Sequence, residues 1–307
     1  MFTGCGTAMV TPFQADGSLD EVTLRRLVRR QIEEGIDFLV PCGTTGESPA
    51  ITIEEHLRVV SITVEEARQA PRRVPVLAGA GGYFTREVIE LAQECQHAGA
   101  DGVLSVTPYY NKPSQEGLYQ HYKALAESIR IPIVVYNVQG RTGVNVETST
   151  LVRLAAIPNI TGVKEASGNI SQIAEVADRV PENFTILSGD DAITIAVTAL
   201  GGRGLISVAS NEIPGQMTRL AKLAVSGDFA GARAIQKQYM SLLQVNFVES
   251  NPIPVKWAMW RMGLLDPVYR LPLVPPSDAN QKKIEQVLEN LNLLAPQTTG
   301  ASVASRH

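Results

Sequence analysis

Eight short runs of β-branched and apolar residues, bounded by glycine, proline or asparagine, recur through the first two thirds of this 307-residue chain. They lie at Thr7–Thr11, Phe38–Cys42, Val74–Ala78, Gly102–Thr107, Ile131–Val138, Ile160–Glu165, Thr185–Ser188 and Gly204–Ala209. Runs of this length and composition read as strands. The segments between them carry helical periodicity and helix-start signals. Thr52-Ile53-Glu54-Glu55 precedes Leu57, Val60 and Val64, and Ser114-Gln115-Glu116-Gly117 precedes Leu118, Tyr122 and Leu125. Near-continuous apolar strands alternating with helices of roughly 10 to 15 residues call for a parallel sheet covered by helices. Eight such units predict an α/β fold, a closed (β/α)8 TIM barrel of about 250 residues. The competing architecture, an open doubly wound sheet, lacks its Gly-rich phosphate loop after the first strand with an acidic residue about 20 positions on.

The eighth unit is complete by about Ser226. That divides the chain into a catalytic barrel over 1–226, a C-terminal helical region over 227–295 and a small, polar tail over 296–307, expected to be disordered. The helical region opens with Asp228-Phe229-Ala230-Gly231 and ends in an amphipathic segment containing Ile284, Val287, Leu288 and Leu291. With 44% hydrophobic residues the chain can bury a sizeable core. Its net charge of -4 comes from intermixed signs without a basic run, which argues against nucleic acid or anionic membrane as a partner. No run of about 18 apolar residues and no charged leader is present, so a soluble, cytoplasmic protein is expected. Cys5, Cys42 and Cys95 are odd in number and widely spaced, as in a reducing compartment. The four histidines, His56, His97, His121 and His307, show no ligand spacing, and no bound metal is expected.

In a barrel of this type the active site lies at the C-terminal ends of the strands. Strand two runs into Gly43-Thr44-Thr45-Gly46-Glu47-Ser48, strand four into Thr107-Pro108-Tyr109-Tyr110-Asn111, and strand five into Tyr136-Asn137-Val138-Gln139-Gly140-Arg141-Thr142-Gly143. Strand six ends in Gly162-Val163-Lys164-Glu165. A lysine there is either a paired structural charge or an amine nucleophile, since burial readily lowers its pKa from about 10.4. Side chains alternate along a strand, so Lys164 and Glu165 point to opposite faces and cannot pair directly. An unpaired amine can attack a carbonyl, and the imine of an α-keto acid is an electron sink for making or breaking a C–C bond. Such chemistry needs proton transfer, and Tyr136, Thr44 and Tyr110 supply hydroxyls from three strand ends. Tyr136 reads equally as a packed tyrosine, and Thr44 and Thr45 as turn caps. The Thr44-Thr45-Gly46 backbone offers N–H groups to a carboxylate, and Arg141 reads as a solvated loop arginine or as a bidentate carboxylate clamp. Neither Gly79, Gly81 and Gly82 nor Gly201, Gly202 and Gly204 make a dinucleotide fingerprint, and no nucleotide cofactor is expected.

Together these motifs closely resemble the dihydrodipicolinate (4-hydroxy-tetrahydrodipicolinate) synthase family of the class I pyruvate lyase superfamily, which also includes N-acetylneuraminate lyase. The resemblance runs from Met1-Phe2-Thr3-Gly4 and Val10-Thr11-Pro12 through Gly43-Thr44-Thr45-Gly46-Glu47, Val106 to Pro113, Tyr136-Asn137, Lys164-Glu165-Ala166 and Leu187-Ser188-Gly189-Asp190-Asp191 to Asn251-Pro252-Ile253-Pro254-Val255-Lys256. It implies a lyase without metal or organic cofactor, joining pyruvate to L-aspartate 4-semialdehyde in the diaminopimelate route to lysine. It implies that Lys164 forms the imine with pyruvate, that Tyr136 transfers protons, and that Thr44 and Tyr110 complete the relay, Tyr110 coming from a neighbouring subunit. Thr45 would hold the pyruvate carboxylate, Arg141 the second substrate's carboxylate, and Gly189 and Ile206 would line the pocket. The sister lyases generally lack the Arg-Thr-Gly element found here at 141–143. A related aldolase for an acidic sugar or another α-keto acid, and a catalytically silent paralogue that binds a metabolite or stabilises a hetero-oligomer, are the alternatives.

The resemblance also implies a homotetramer built as a dimer of tight dimers, a dimer being the other possibility. Gln139 departs from the usual proline and could loosen the loop that holds Arg141. In lysine-inhibited relatives a regulatory pocket uses Ser, two His, Asn, Glu and Tyr. Ser48, His56, Glu87 and Tyr109 match that set here, whereas Ile53 and Tyr83 replace a histidine and the asparagine. Weak or absent inhibition by L-lysine is expected.

Overall fold

The computed structural model describes residues 2–295, so the expected disordered tail at 296–307 lies outside the described residues. Eight strands alternate with helices: β1 (Gly4–Ala8), β2 (Phe38–Val40), β3 (Leu77–Gly79), β4 (Gly102–Val106), β5 (Ile133–Asn137), β6 (Ile160–Glu165), β7 (Thr185–Ser188) and β8 (Gly204–Ser207). They form a parallel sheet in the order β2-β1-β8-β7-β6-β5-β4-β3. A further parallel bridge, Leu39 of β2 to Val76 just before β3, joins the two edges. The result is a nearly closed (β/α)8 TIM barrel with additional C-terminal helices.

Strands β6 and β7 fall where the sequence places them, β4, β5 and β8 are shorter but lie within their expected runs, and β1, β2 and β3 differ for local reasons. β1 begins at Gly4 and ends at Ala8, three residues early at each end. Its glycines are poor strand formers in isolation, yet a Cβ on Gly6 would lie 2.1 Å from the Phe38 ring, so the close approach of β2 requires glycine. β2 stops at Val40 because Pro41 cannot donate to a ladder, although its carbonyl still accepts from Gly79 N at 2.9 Å. β3 starts only at Leu77, after Pro75, whose carbonyl accepts from Leu39 N at 2.9 Å.

Alternation along the strands sorts the buried side chains into two layers. Phe38, Leu77, Leu104, Val134, Tyr136, Leu187 and Ile206 fill the barrel interior, with Phe2 packed edge-on against Phe38 at 5.5 Å. Leu39, Val103, Val135, Val163, Ile186 and Leu205 face the surrounding helices in the larger cluster. The helix Ile53–Gln69 begins with the expected capping box, in which Thr52 Oγ1 accepts from Glu55 N and Glu55 accepts from Thr52 N. Ser114 likewise caps Gln115–Ser128 by accepting from Gly117 N. The last barrel helix, Pro214–Val225, is capped at Ser226, and the helices Phe229–Val245, Ile253–Arg261 and Asp278–Asn290 follow. Ile284 and Leu288, on the last of these, are fully buried. No helix among the described residues is long and apolar enough to cross a membrane, and Cys5, Cys42 and Cys95 are free and buried.

His121 is buried on the helix Gln115–Ser128. Its Nδ1 lies 3.0 Å from Thr85 Oγ1, while Nε2 has no partner. Burial lowers its pKa from 6.5 to about 4, and burial also lowers that of His56. As pH falls below about 6.5 the unfolded chain takes up protons that the folded protein refuses, so stability is lost down to the folded pKa. Denaturant midpoints are therefore expected to fall between pH 6.5 and pH 4, and to fall less steeply in His121→Gln. Equal slopes in the two proteins would contradict this assignment.

Candidate active site

Lys164 and Tyr136 are register partners on adjacent strands, so both side chains enter the barrel interior from the same level. Both are buried, and Lys164 Nζ sits 4.2 Å from the centroid of the Tyr136 ring. Glu165 leaves β6 on the opposite face, where its carboxylate accepts from Asn137 Nδ2 at 3.1 Å and from Ser167 N at 2.7 Å. Burial pushes the Glu165 pKa up, with these hydrogen bonds acting against it. Lys164 has no ion-pair partner among the described residues, although it is only 5% exposed. Gly189 at the end of β7 makes room for it: a Cβ there would lie 3.1 Å from Lys164 Cε and 2.7 Å from Ala166 Cβ.

A cavity of about 150 Å³ opens above Lys164 and is lined by Thr45, Tyr136, Arg141, Gly189, Phe247 and Asn251 among others. Thr45 is buried, and its Oγ1 accepts from Asn251 Nδ2 at 3.0 Å. Arg141 belongs to a one-turn helix, Gln139–Thr142, and its Nη2 donates to the Asn251 carbonyl at 3.1 Å. That turn is held by Thr142 Oγ1, which donates toward the Val138 and Val144 carbonyls and accepts from Val144 N. Gln139 is its first residue, and its carbonyl accepts from Gly143 N. Thr44 is half-buried and, with Tyr136, lines a small adjoining cavity. One chain thus gathers Lys164, Tyr136, Thr45, Arg141 and Gly189 at one cavity, with Thr44 beside it.

Two of the expected site residues stand elsewhere. Ile206 packs beneath, in the interior cluster with Tyr136 and Leu187, and is not on the cavity wall. Tyr110 does not reach the cavity within one chain: it is 91% exposed, with φ at +68°. A bulky residue in the left-handed region is uncommon. Ser48, His56 and Tyr109 line a second cavity of about 330 Å³, which also touches Ile53, Thr44 and Arg141. Tyr83 packs edge-on against Tyr109 with ring centroids 5.4 Å apart, and burial, followed by Tyr83 and Glu87, raises the Tyr109 pKa. His56 donates from Nε2 to the Gly79 carbonyl at 2.8 Å. Among the described residues no group of three or more His, Cys, Asp or Glu side chains is placed to hold a metal ion.

Sequence reasoning gave no role to Phe247, Asn251 or Asp190, although all three line the Lys164 cavity. Asn251 and Asp190 lie inside motifs already singled out, which was the available signal. Phe247 follows the helix Phe229–Val245, and no local pattern marks it.

Comparison with known proteins places this geometry in context. Residues 1–291 match the dihydrodipicolinate synthetase family. The chain belongs to that family. It is 50% identical over 292 residues to the 4-hydroxy-tetrahydrodipicolinate synthase of Koribacter versatilis, covering 95% of this chain and 96% of the relative. The dihydrodipicolinate synthase of Aquifex aeolicus superposes with a TM-score of 0.93 at 42% identity, covering 96% of this chain and all of that one (100%). A dihydrodipicolinate synthase of Acinetobacter baumannii complexed with pyruvate has a TM-score of 0.93 at 41% identity, with coverages of 96% and 100%. The activity is that of the family's 4-hydroxy-tetrahydrodipicolinate synthases, lyases of diaminopimelate and lysine biosynthesis.

Proposed function

We propose that Lys164 carries this activity by forming an imine with pyruvate and presenting the resulting enamine to L-aspartate 4-semialdehyde. The observation that supports it most strongly is an unpaired, buried lysine beside a tyrosine ring in a small cavity that also holds an arginine. The amine of Lys164 adds to the keto carbon, and the keto oxygen leaves as water after protonation. Tyr136 and Thr44 would pass those protons, and Tyr110 from a second copy of the chain would extend the relay to solvent. Loss of a methyl proton gives the enamine, whose carbon attacks the aldehyde. The amino group of the second substrate can then displace Lys164 from the imine carbon, closing a ring and freeing the enzyme. The imine is itself the electron sink, so this reading requires neither metal nor organic cofactor.

Two carboxylates enter this reaction, and the site offers two places for them. Thr45 and the adjoining backbone suit the carboxylate of pyruvate, next to Lys164. Arg141 suits that of the aldehyde at the cavity mouth. The exposed, strained Tyr110 supports assembly in which the two chains of a tight dimer complete each other's sites, and two such dimers would make a homotetramer. We place the protein in the cytoplasm, consistent with three unbridged cysteines.

Arg141→Leu is expected to lower kcat/KM for the aldehyde by about 10- to 100-fold, the value of a charge-assisted hydrogen bond, with little change in the KM for pyruvate. Aldehydes lacking a carboxylate should be poor substrates for the parent and no worse for the variant. Equal loss toward both aldehyde classes would instead assign Arg141 a structural role and favour a related lyase with another acceptor. The second cavity offers methyl groups from Ile53 in place of an imidazole. Steady-state assays with millimolar L-lysine are expected to show weak or no inhibition, and strong inhibition at micromolar concentration would refute this.

A further inference from the structure

Lys256 and Glu47 are both fully enclosed, each side chain 0% exposed, and form an ion pair. Lys256 lies on the helix Ile253–Arg261, and Glu47 in the turn that follows β2. Lys256 Nζ also donates to the Val268 carbonyl at 2.7 Å and lies 4.6 Å from the Phe13 ring centroid and 5.1 Å from that of Tyr269. It borders none of the three cavities described above, so it is not a second nucleophile. Removing two ions from water is costly, and an apolar pair of similar volume is often at least as stable. A barrel with so large an apolar core gains little stability from such a pair.

Its location suggests what it does instead. Glu47 stands two residues beyond Thr45 and three beyond Thr44, and its backbone sits at φ +55°. The left-handed region is unfavourable for a residue with a Cβ, so the surroundings must hold Glu47 there. Glu47 N donates to the Thr44 carbonyl at 3.1 Å, and Thr11 Oγ1 donates to the Gly46 carbonyl at 2.7 Å. The C-terminal segment then grips the same turn at two points, through Asn251 to Thr45 Oγ1 and through Lys256 to the Glu47 carboxylate. An apolar pair would fill the same space without fixing a direction, whereas a charged hydrogen bond orients what it holds.

We propose that Glu47 and Lys256 are positioning residues for the condensation, clamping the Thr44-Thr45 turn against the substrate bound to Lys164. The inference rests on the imine reading above. Misplacement of a reacting group by about 1 Å can cost on the order of 10²-fold in rate, so a loosened turn lowers turnover while leaving Lys164 able to form its imine.

The test uses the full chain in three variants: Glu47→Gln, Lys256→Met, and the double substitution of both residues by Met. Each is assayed for thermal midpoint, for the fraction of chains trapped by borohydride at saturating pyruvate, and for kcat. Lys256→Met should melt lowest, because it leaves a buried carboxylate unpaired. The double variant should recover most of the midpoint and trap pyruvate fully, yet turn over about 10- to 100-fold more slowly. Glu47→Gln, which keeps the shape and one acceptor, should fold and show the same pattern in milder form. A double variant, or a folded Glu47→Gln, with kcat within about threefold of the parent would overturn the proposal. So would trapping that falls in step with kcat, since the pair would then only keep the site folded. A parent that traps no pyruvate would instead bring down the imine reading, and this inference with it.

Discussion

On β6 successive side chains leave opposite faces of the barrel wall, so Lys164 enters the interior while Glu165 ends among Asn137 and Ser167 outside it. A slip of one residue would exchange them and place a carboxylate where the nucleophile stands. The register is held on both sides, by Tyr136 opposite Lys164 on β5 and by Leu187 opposite Lys164 on β7. Barrel closure makes that register hard to alter, because each strand has neighbours on both edges. Two buried lysines therefore meet opposite fates in one fold. Lys256 is given a carboxylate, a carbonyl and two ring faces, whereas Lys164 is given a tyrosine ring and a cavity.

The C-terminal helices complete what the barrel begins. Strand ends supply Lys164, Tyr136 and Gly189, but the cavity also needs Phe247 and Asn251 from the segment after the helix Phe229–Val245. Asn251 touches Thr45 on β2's side of the mouth and Arg141 on β5's side, linking the two proposed carboxylate sites through one residue. Further along, Arg270 pairs with Glu55 and donates to the Gly17 and Ala50 carbonyls, so the extension is anchored to the loops around β1 and β2. That Arg270 contact holds the Glu55 carboxyl down at about 2. The extension thus acts on the same side of the barrel mouth as the Thr44-Thr45 turn.

Much of this architecture was legible in the sequence, because near-continuous apolar runs and capping signals are local. The helix opened by Thr52 and Glu55, and strands β6 and β7, lie where those signals put them. β1 lies three residues before the run Thr7–Thr11 because it begins at Gly4 and includes Gly6, where the packed side chains of Asp37 and Phe38 leave no room for a Cβ. The site was legible where it rests on strand ends. It was not legible where residues distant in sequence meet, as Asn251 meets Thr45 and Lys256 meets Glu47, since no local pattern encodes either contact. Tyr110 marks another boundary: one chain shows it exposed and strained, and its proposed role depends on a second copy.

The central claim is that Lys164, and no other lysine, bonds covalently to pyruvate. Intact-protein mass spectrometry after borohydride reduction with pyruvate, with the modified peptide mapped, addresses it directly. The account predicts one adduct per chain, located at Lys164 and absent from Lys164→Ala. An adduct that survives Lys164→Ala, or no adduct on the parent, would contradict it.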